Sequence, residues 1–333
     1  MPDGHVSGRT PCLPSDLTPL ERWFSERFEA AQVKVRQAEL LPGGAVQRNW
    51  RLTLDVDGES HVVVLRVGPD MPLPESRTKD QEFAILRDAH AAGVPVAEPL
   101  FAEVSENIIG RAFLISAFCA GDADRQKLFT RADNQQLLSE LGASLAQVHQ
   151  MTVPAGVPSE TPIGRVDTLQ SWAGDINHLP PGIQTGLDWL ACHVPEPGRS
   201  TLVHRDFRTG NFMVRGDQLV ALLDWEFAGA GDCHEDIAWF CAACWRGENP
   251  SREAGGLGLR EEFYRAYVAA GGDVPDPLRI HFWEVFAHVR WSLIAMQQAS
   301  RAEAGEYPVW ELEEAGNRVP GLSEVILKMV NSV

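Results

Sequence analysis

Three polar residues stand in an order and spacing that could carry one reaction. Asp206 and Asn211 lie five positions apart in His204-Arg205-Asp206-Phe207-Arg208-Thr209-Gly210-Asn211, and Asp224 closes the apolar run Leu219-Val220-Ala221-Leu222-Leu223. An amide oxygen and a carboxylate are hard donors of the kind magnesium prefers. The remaining acid, Asp206, could take the proton of an attacking hydroxyl. This is equipment for moving a phosphoryl group, whose charge in flight makes catalysis largely positioning and electrostatics. A single Asp in a turn is usually a cap or turn residue. Three residues matching in identity, order and spacing, flanked by the strand-type runs Leu202-Val203 and Phe212-Met213-Val214, point instead to phosphoryl transfer.

Such residues need elements to hold them. Ala38 to Val56 reads as strand, glycine turn, strand, with Gly43-Gly44 in the turn and Trp50, Leu52, Leu54 and Val56 alternating after it. A glycine pair between strands is either an ordinary hairpin turn or a place where backbone amides approach a phosphate. Asp57-Gly58 supplies a tight turn, and His61 to Val67 a third strand interrupted by Arg66. That cation either pairs with phosphates or points to solvent. The next helix is expected from about Lys79 to Ala92, with Phe83, Leu86 and His90 on one stripe and Glu82 beside it. Packed on the third strand, it would bring Glu82 to Arg66. Ala112 to Gly121 reads as a further buried strand. Ahead of them all, Thr18-Pro19 opens a helix whose Leu20, Trp23, Phe24 and Phe28 suit a cover for the sheet.

Beyond Gly121 the pattern turns helical. Leu137, Leu138, Leu141, Leu145 and Val148 recur at helical steps, with His149 at the end as a structural histidine. Leu169 to Trp172 and Gly186 to Cys192 read as further helix pieces, and helical patterns cover about 259 to 270, 275 to 301 and 309 to 331. The expected organisation is α+β, with a small β-rich unit over residues 1–117 and a larger α-rich unit over 118–333.

Composition narrows the partners. A net charge of -17 over 333 residues repels polyanions and anionic bilayers, which argues against a nucleic-acid polymer or a membrane surface. No run of about 18 apolar residues appears, and the first residues lack a basic-then-apolar leader, so a cytoplasmic protein is expected. Six cysteines at irregular positions predict reduced thiols. Cys241 and Cys244, with Cys233 and His234, make a conceivable metal set, but the spacing fits no structural zinc pattern and small core side chains explain them.

With these residues in view, the chain resembles the aminoglycoside phosphotransferase and choline kinase-like superfamily, and most closely its branch associated with acyl-CoA dehydrogenases. The likeness lies in His204 to Asn211, in Leu223-Asp224-Trp225-Glu226-Phe227, and in Gly231-Asp232 with Glu235-Asp236-Ile237-Ala238-Trp239. It implies a bilobal protein-kinase-like fold and an ATP- and Mg2+-dependent kinase of a small-molecule hydroxyl substrate. Asp206 would be the catalytic base, and Asn211 and Asp224 the magnesium ligands. Gly43 and Gly44 would lie in the phosphate-covering hairpin, and Ser116, Ala117 and Phe118 in the hinge that grips adenine. Arg66 and Glu82 would occupy the places of the strand Lys and helix Glu, while His204 and Asp236 would brace the catalytic loop.

Two departures stand out. Arg66 replaces the usual Lys, changing reach and geometry, and Arg205 replaces the Gly common in aminoglycoside kinases. Three alternatives stay open beside the small-molecule kinase: an aminoglycoside-type antibiotic kinase, a protein kinase and a non-catalytic nucleotide-binding scaffold. No extended segment with an Ala-Pro-Glu ending follows Asp224, which counts against the protein kinase. Glu226, Asp232, Glu235 and Glu284 would suit a polycationic acceptor. Trp239, Trp245, Trp283 and Trp291 would suit a core, or an apolar or acyl-type alcohol.

Overall fold

The computed structural model describes residues 13–41, 48–68, 75–303 and 316–332. The expected glycine turn with Gly43 and Gly44 lies outside them. The first half of the chain runs α1 (Thr18–Arg27), β1 (Val33–Leu40), β2 (Arg48–Val56), β3 (Glu59–Val67), α2 (Lys79–Ala91), β4 (Pro99–Glu103), β5 (Phe113–Ala117), α3 (Arg125–Phe129) and α4 (Gln135–Gln150). The rest follows as α5 (Pro162–Gly174), α6 (Pro181–Cys192), β6 (Thr201–Val203), β7 (Phe212–Arg215), β8 (Gln218–Leu222), β9 (Gly229–Gly231), α7 (His234–Cys241), α8 (Arg260–Ala269), α9 (Pro277–Glu303) and α10 (Val319–Val330). Two compact units form. The first reaches Asp122 and takes in Pro154–Val157 and Phe212–Ala228; the second holds the remainder.

The first unit is an antiparallel five-stranded sheet in the order β1-β2-β3-β5-β4. Asp57 and Gly58, both with positive φ (49° and 94°), turn β2 into β3 with Val56 opposite Glu59. Two left-handed residues match the twist of the strands they join. Leu52, Leu54, Val63 and Leu65 face α1, whose Leu20, Trp23 and Phe24 are buried against them, as the sequence predicts. In α2 the outcome differs. The buried stripe is Lys79, Glu82, Ile85 and Ala89, whereas Phe83 and Leu86 are half-buried and His90 is exposed. The helix is turned by about one residue, or 100°, from the expected stripe, because it buries an ion pair that an apolar pattern does not register. The β7/β8 hairpin joins this unit through a bridge between Asp122 and Val214 and the bond from Leu222 N–H to the Pro95 carbonyl (2.7 Å).

The second unit is helical apart from the short β6/β9 pair. Helices α5, α6, α9 and α10 enclose Val166, Leu169, Ile183, Leu187, Trp283, Phe286, Val289 and Ile326. Helices α4 and α8 pack at Gly142, where a Cβ would stand 2.9 Å from the Phe263 carbonyl oxygen and the Tyr267 nitrogen; only glycine allows that approach. Among the described residues no helix is long and apolar enough to cross a membrane.

His288 on α9 is buried, donating from Nδ1 to the Glu284 carbonyl (2.7 Å) and accepting at Nε2 from Ala243 N–H (3.2 Å), which requires the neutral ring. Burial pushes its pKa down to about 4. An unfolded chain protonates this ring near pH 6.5, so between the two values the unfolded state binds the extra proton. Stability is therefore complete above about pH 6.5 and declines toward pH 4, by on the order of 3 kcal/mol in full. Urea unfolding at pH 7 and pH 4.5 should show the loss, and His288→Gln should flatten that part of the profile.

Candidate active site

Strand β6 ends at Val203, and the backbone after it is fixed from α7. Asp236, fully buried in the first turn of that helix, accepts the N–H groups of His204 and Arg205, both at 2.6 Å. It also faces His149 Nε2 at 3.1 Å, while Tyr267 Oη lies 2.7 Å from His149 Nδ1. Burial alone would raise the Asp236 carboxyl; the hydrogen bonds and the field of the two histidines outweigh it, and its pKa is lowered. The structural histidine expected at 149 is thus a tie from α4 to the loop. Arg205 takes a left-handed backbone (φ 64°), and its carbonyl accepts from Arg290 Nη1 at 2.7 Å.

Asp206 follows. Its N–H donates to His204 Nδ1 (3.2 Å), and its carboxylate is turned by three side chains. Asn211 Nδ2 donates to Oδ2 at 2.6 Å and to the Asp206 carbonyl at 2.9 Å. Arg208 Nε and Trp239 Nε1 donate to Oδ1 at 3.0 and 3.1 Å. A carboxylate oxygen has two lone pairs, so Oδ1 is filled and Oδ2 retains one. Asn211, spending its NH2 on Asp206, keeps Oδ1 as its donor atom toward a cation. Arg208 lies over the Trp245 ring (4.8 Å), and Trp239, Trp245 and Trp291 follow one another at 5.0 and 4.7 Å between centroids. The indole N–H groups of Trp245 and Trp291 are buried with no hydrogen-bond partner among the described residues.

The first unit gathers a second polar group. Arg66 on β3 puts Nη2 on Asp224 Oδ1 (2.7 Å) and Nη1 3.4 Å from Glu82 Oε1. Lys79 Nζ holds Glu82 Oε2 at 2.7 Å. Burial disfavours the Glu82 charge, yet the Arg66 and Lys79 charges outweigh it and keep that carboxyl low. At Lys79 burial prevails and the pKa is lowered. Asp224 sits just past β8 with φ 62°, a conformation uncommon outside glycine and seen most often at functional or turn positions. Ser116 and Ala117 end β5; Ala117 N–H bonds the Glu98 carbonyl (2.8 Å) and Phe118 N–H the Val62 carbonyl (3.3 Å). Arg51 stacks on the Phe118 ring at 4.6 Å.

Several of these participants escape sequence reasoning. Lys79 has only an i,i+3 spacing to Glu82, which on most helices is a surface pair. Trp239 reads as core, though its N–H meets Asp206. The four acids that would suit a polycationic acceptor have partners of their own. Asp232 accepts from Arg279 (2.7 Å) and Trp283 (3.1 Å), Glu235 from Arg165 (2.7 Å), Glu284 from Arg260 (2.6 Å), and Glu226 from Ser76 (3.3 Å). The metal set considered around Cys233 and His234 is likewise engaged. His234 Nε2 accepts from Asp276 N–H (3.1 Å), and Nδ1 lies 2.7 Å from Asp232. Burial raises the thiols of buried Cys241 and half-buried Cys244 to about 12, which makes them inert.

The antiparallel sheet of one unit and the helices of the other are those of a kinase-like α+β fold. The chain matches the phosphotransferase enzyme family (APH) over residues 37–283 and belongs to it. It is 25% identical over 289 residues to acyl-CoA dehydrogenase family member 10 of Mus musculus, a match covering 79% of this chain and 27% of that protein. The chain therefore spans about a quarter of that relative's length. Its fold is shared with a protein of Ralstonia eutropha JMP134 assigned as an aminoglycoside phosphotransferase (TM-score 0.75, 21% identity, 95% of this chain and 98% of that one). It is shared as well with a spectinomycin phosphotransferase solved with ADP and spectinomycin (TM-score 0.66, 15% identity, 95% and 99%).

Proposed function

We propose that this chain is an ATP- and magnesium-dependent kinase that transfers the γ-phosphoryl group of ATP to a hydroxyl of a small molecule. The observation that carries the reading is the setting of Asp206. Three donors fix its carboxylate and leave one lone pair on Oδ2, which suits a base that accepts the substrate proton as the bond to phosphorus forms. Asn211 and Asp224 each offer an oxygen donor of the kind magnesium takes, and magnesium would neutralise phosphate charge. Arg66, anchored near Glu82, serves the nucleotide phosphates. Ser116, Ala117 and Phe118 serve adenine, through backbone groups other than the two N–H groups already paired in the sheet. Gly43 and Gly44 complete the set as the phosphate-covering turn.

The acceptor reading follows from what surrounds Asp206. The Trp239, Trp245 and Trp291 row begins at its carboxylate, Arg208 stands beside it, and the nearby acids are spent internally. Indole rings and a cation beside Asp206 favour an alcohol with an apolar or acyl-type body over a polycationic aminoglycoside. The test is ADP release with a panel of acyl-bearing alcohols, plain alcohols and aminoglycosides, with and without magnesium. Metal-dependent turnover is expected with the first group. Turnover with aminoglycosides alone would reverse the acceptor assignment. Nucleotide binding with no turnover on any acceptor would favour a scaffold.

A further inference from the structure

The sequence contains four lysines, Lys34, Lys79, Lys127 and Lys328, and among them Lys79 alone is buried. A buried ammonium costs several kcal/mol of desolvation, and an apolar side chain of similar volume is usually the cheaper occupant. Pairs at i,i+3 normally lie on a helix surface for a few tenths of a kcal/mol; this one faces inward. Its position therefore calls for a role beyond helix stability.

The geometry points to that role, and the inference rests on the nucleotide-binding reading above. Glu82 is the innermost member of the cluster, with its side chain 0% exposed; Lys79 is 6%, Arg66 15% and Asp224 34% exposed, so solvent is met at the Asp224 end. The short contact to Glu82 comes from Lys79 at 2.7 Å, not from Arg66, whose Nη1 stays 3.4 Å away. Glu82 Oε1 forms no hydrogen bond among the described residues. The other terminal nitrogen of Arg66 makes a short contact with Asp224. A planar fork of fixed width has to favour one carboxylate when two flank it. Here it favours the outer one, because the inner one already has a cation.

We propose that Lys79 and Arg66 divide two tasks between them, the neutralisation of Glu82 and the contact with the nucleotide phosphates. Lys79 is the positioning residue that neutralises Glu82 from within, and Arg66 is thereby directed outward to the nucleotide phosphates. Remove Lys79, and the buried Glu82 carboxylate draws the guanidinium inward. Shorten Arg66 to lysine, and the outer end of the set is left short of the phosphates while Glu82 already has its cation. The two changes together restore a single lysine on a single glutamate. The pair should thus show sign epistasis.

Calorimetric titration with ADP and with adenosine, which lacks phosphates, tests this on the full chain. Lys79→Met and Arg66→Lys should each weaken ADP binding on the order of tenfold and adenosine binding less than about twofold. The double variant should bind ADP more tightly than Lys79→Met does, and Lys79→Arg should stay within about threefold of the parent. A purely structural role for Lys79 would weaken adenosine and ADP alike, and that outcome overturns the proposal. So does Arg66→Lys binding ADP as the parent does, an arm that still decides the matter should Lys79→Met not fold. A parent protein that fails to bind ADP at all would refute the nucleotide reading itself.

Discussion

Alanine in place of Asp206 is expected to lower kcat for phosphoryl transfer by about 10²–10⁴-fold, the usual worth of a positioned general base, with nucleotide affinity little changed. The expectation follows from how the carboxylate is held. Oδ1 takes Arg208 and Trp239 and Oδ2 takes Asn211, so one acceptor position is left, on Oδ2, for the hydroxyl that the proposed reaction would bring. Truncation leaves Asn211 its bond to the Asp206 carbonyl and strands, among the buried donors, its other N–H and the Trp239 N–H. The stability cost should stay near 1–3 kcal/mol. Alanine is a cleaner probe than asparagine, because an amide NH2 at either oxygen position would face another donor. Single-turnover rates beside ADP calorimetry read the two effects separately. Turnover near that of the parent would remove Asp206 from the role of base.

A second large effect is expected away from the reacting atoms. Asp236→Ala strands the buried N–H groups of His204 and Arg205 together with His149, and should cost about 3–5 kcal/mol of unfolding free energy. Asp236→Asn keeps an acceptor for one of them, so its loss should be smaller. Equilibrium urea unfolding measures both. A change below about 1 kcal/mol in the alanine variant would mean that the loop is held by other contacts.

The polar cluster of the loop from His204 to Asn211 was legible in the sequence because its residues are contiguous. The sheet was legible too where side chains alternate, as in β2 and β3, or where Asp57-Gly58 sets the turn. Strand β4 escaped notice: Pro99 to Glu103 is half-buried throughout and alternates in nothing. Helices α5 and α6 showed only as fragments, since glycines such as Gly186, whose Cβ would stand 2.7 Å from side-chain carbons of Ile326 and Val289, pack closely without adding to an apolar period. The face of α2 was misplaced because hydrophobic periodicity cannot reveal a stripe built from Lys79 and Glu82. The partners of Asp206 were hidden for a related reason. An indole buried in a core and an indole donating to a carboxylate have the same letter.

The left-handed backbone at Arg205 changes what its identity means. A glycine would sit there without strain, and an arginine forgoes roughly 1–2 kcal/mol to do so. Its guanidinium does not extend toward an acceptor; it lies 1% exposed against Glu160, 3.6 Å from Glu235, and donates to the Ala230 carbonyl at 3.1 Å. Arginine at this position is therefore a statement about the interior of the helical unit, written jointly with Glu160 and Glu235. Relatives that exchange it for glycine should be free to lose those two acids as well, and the resemblance of this one letter to protein kinases carries no information about what is phosphorylated.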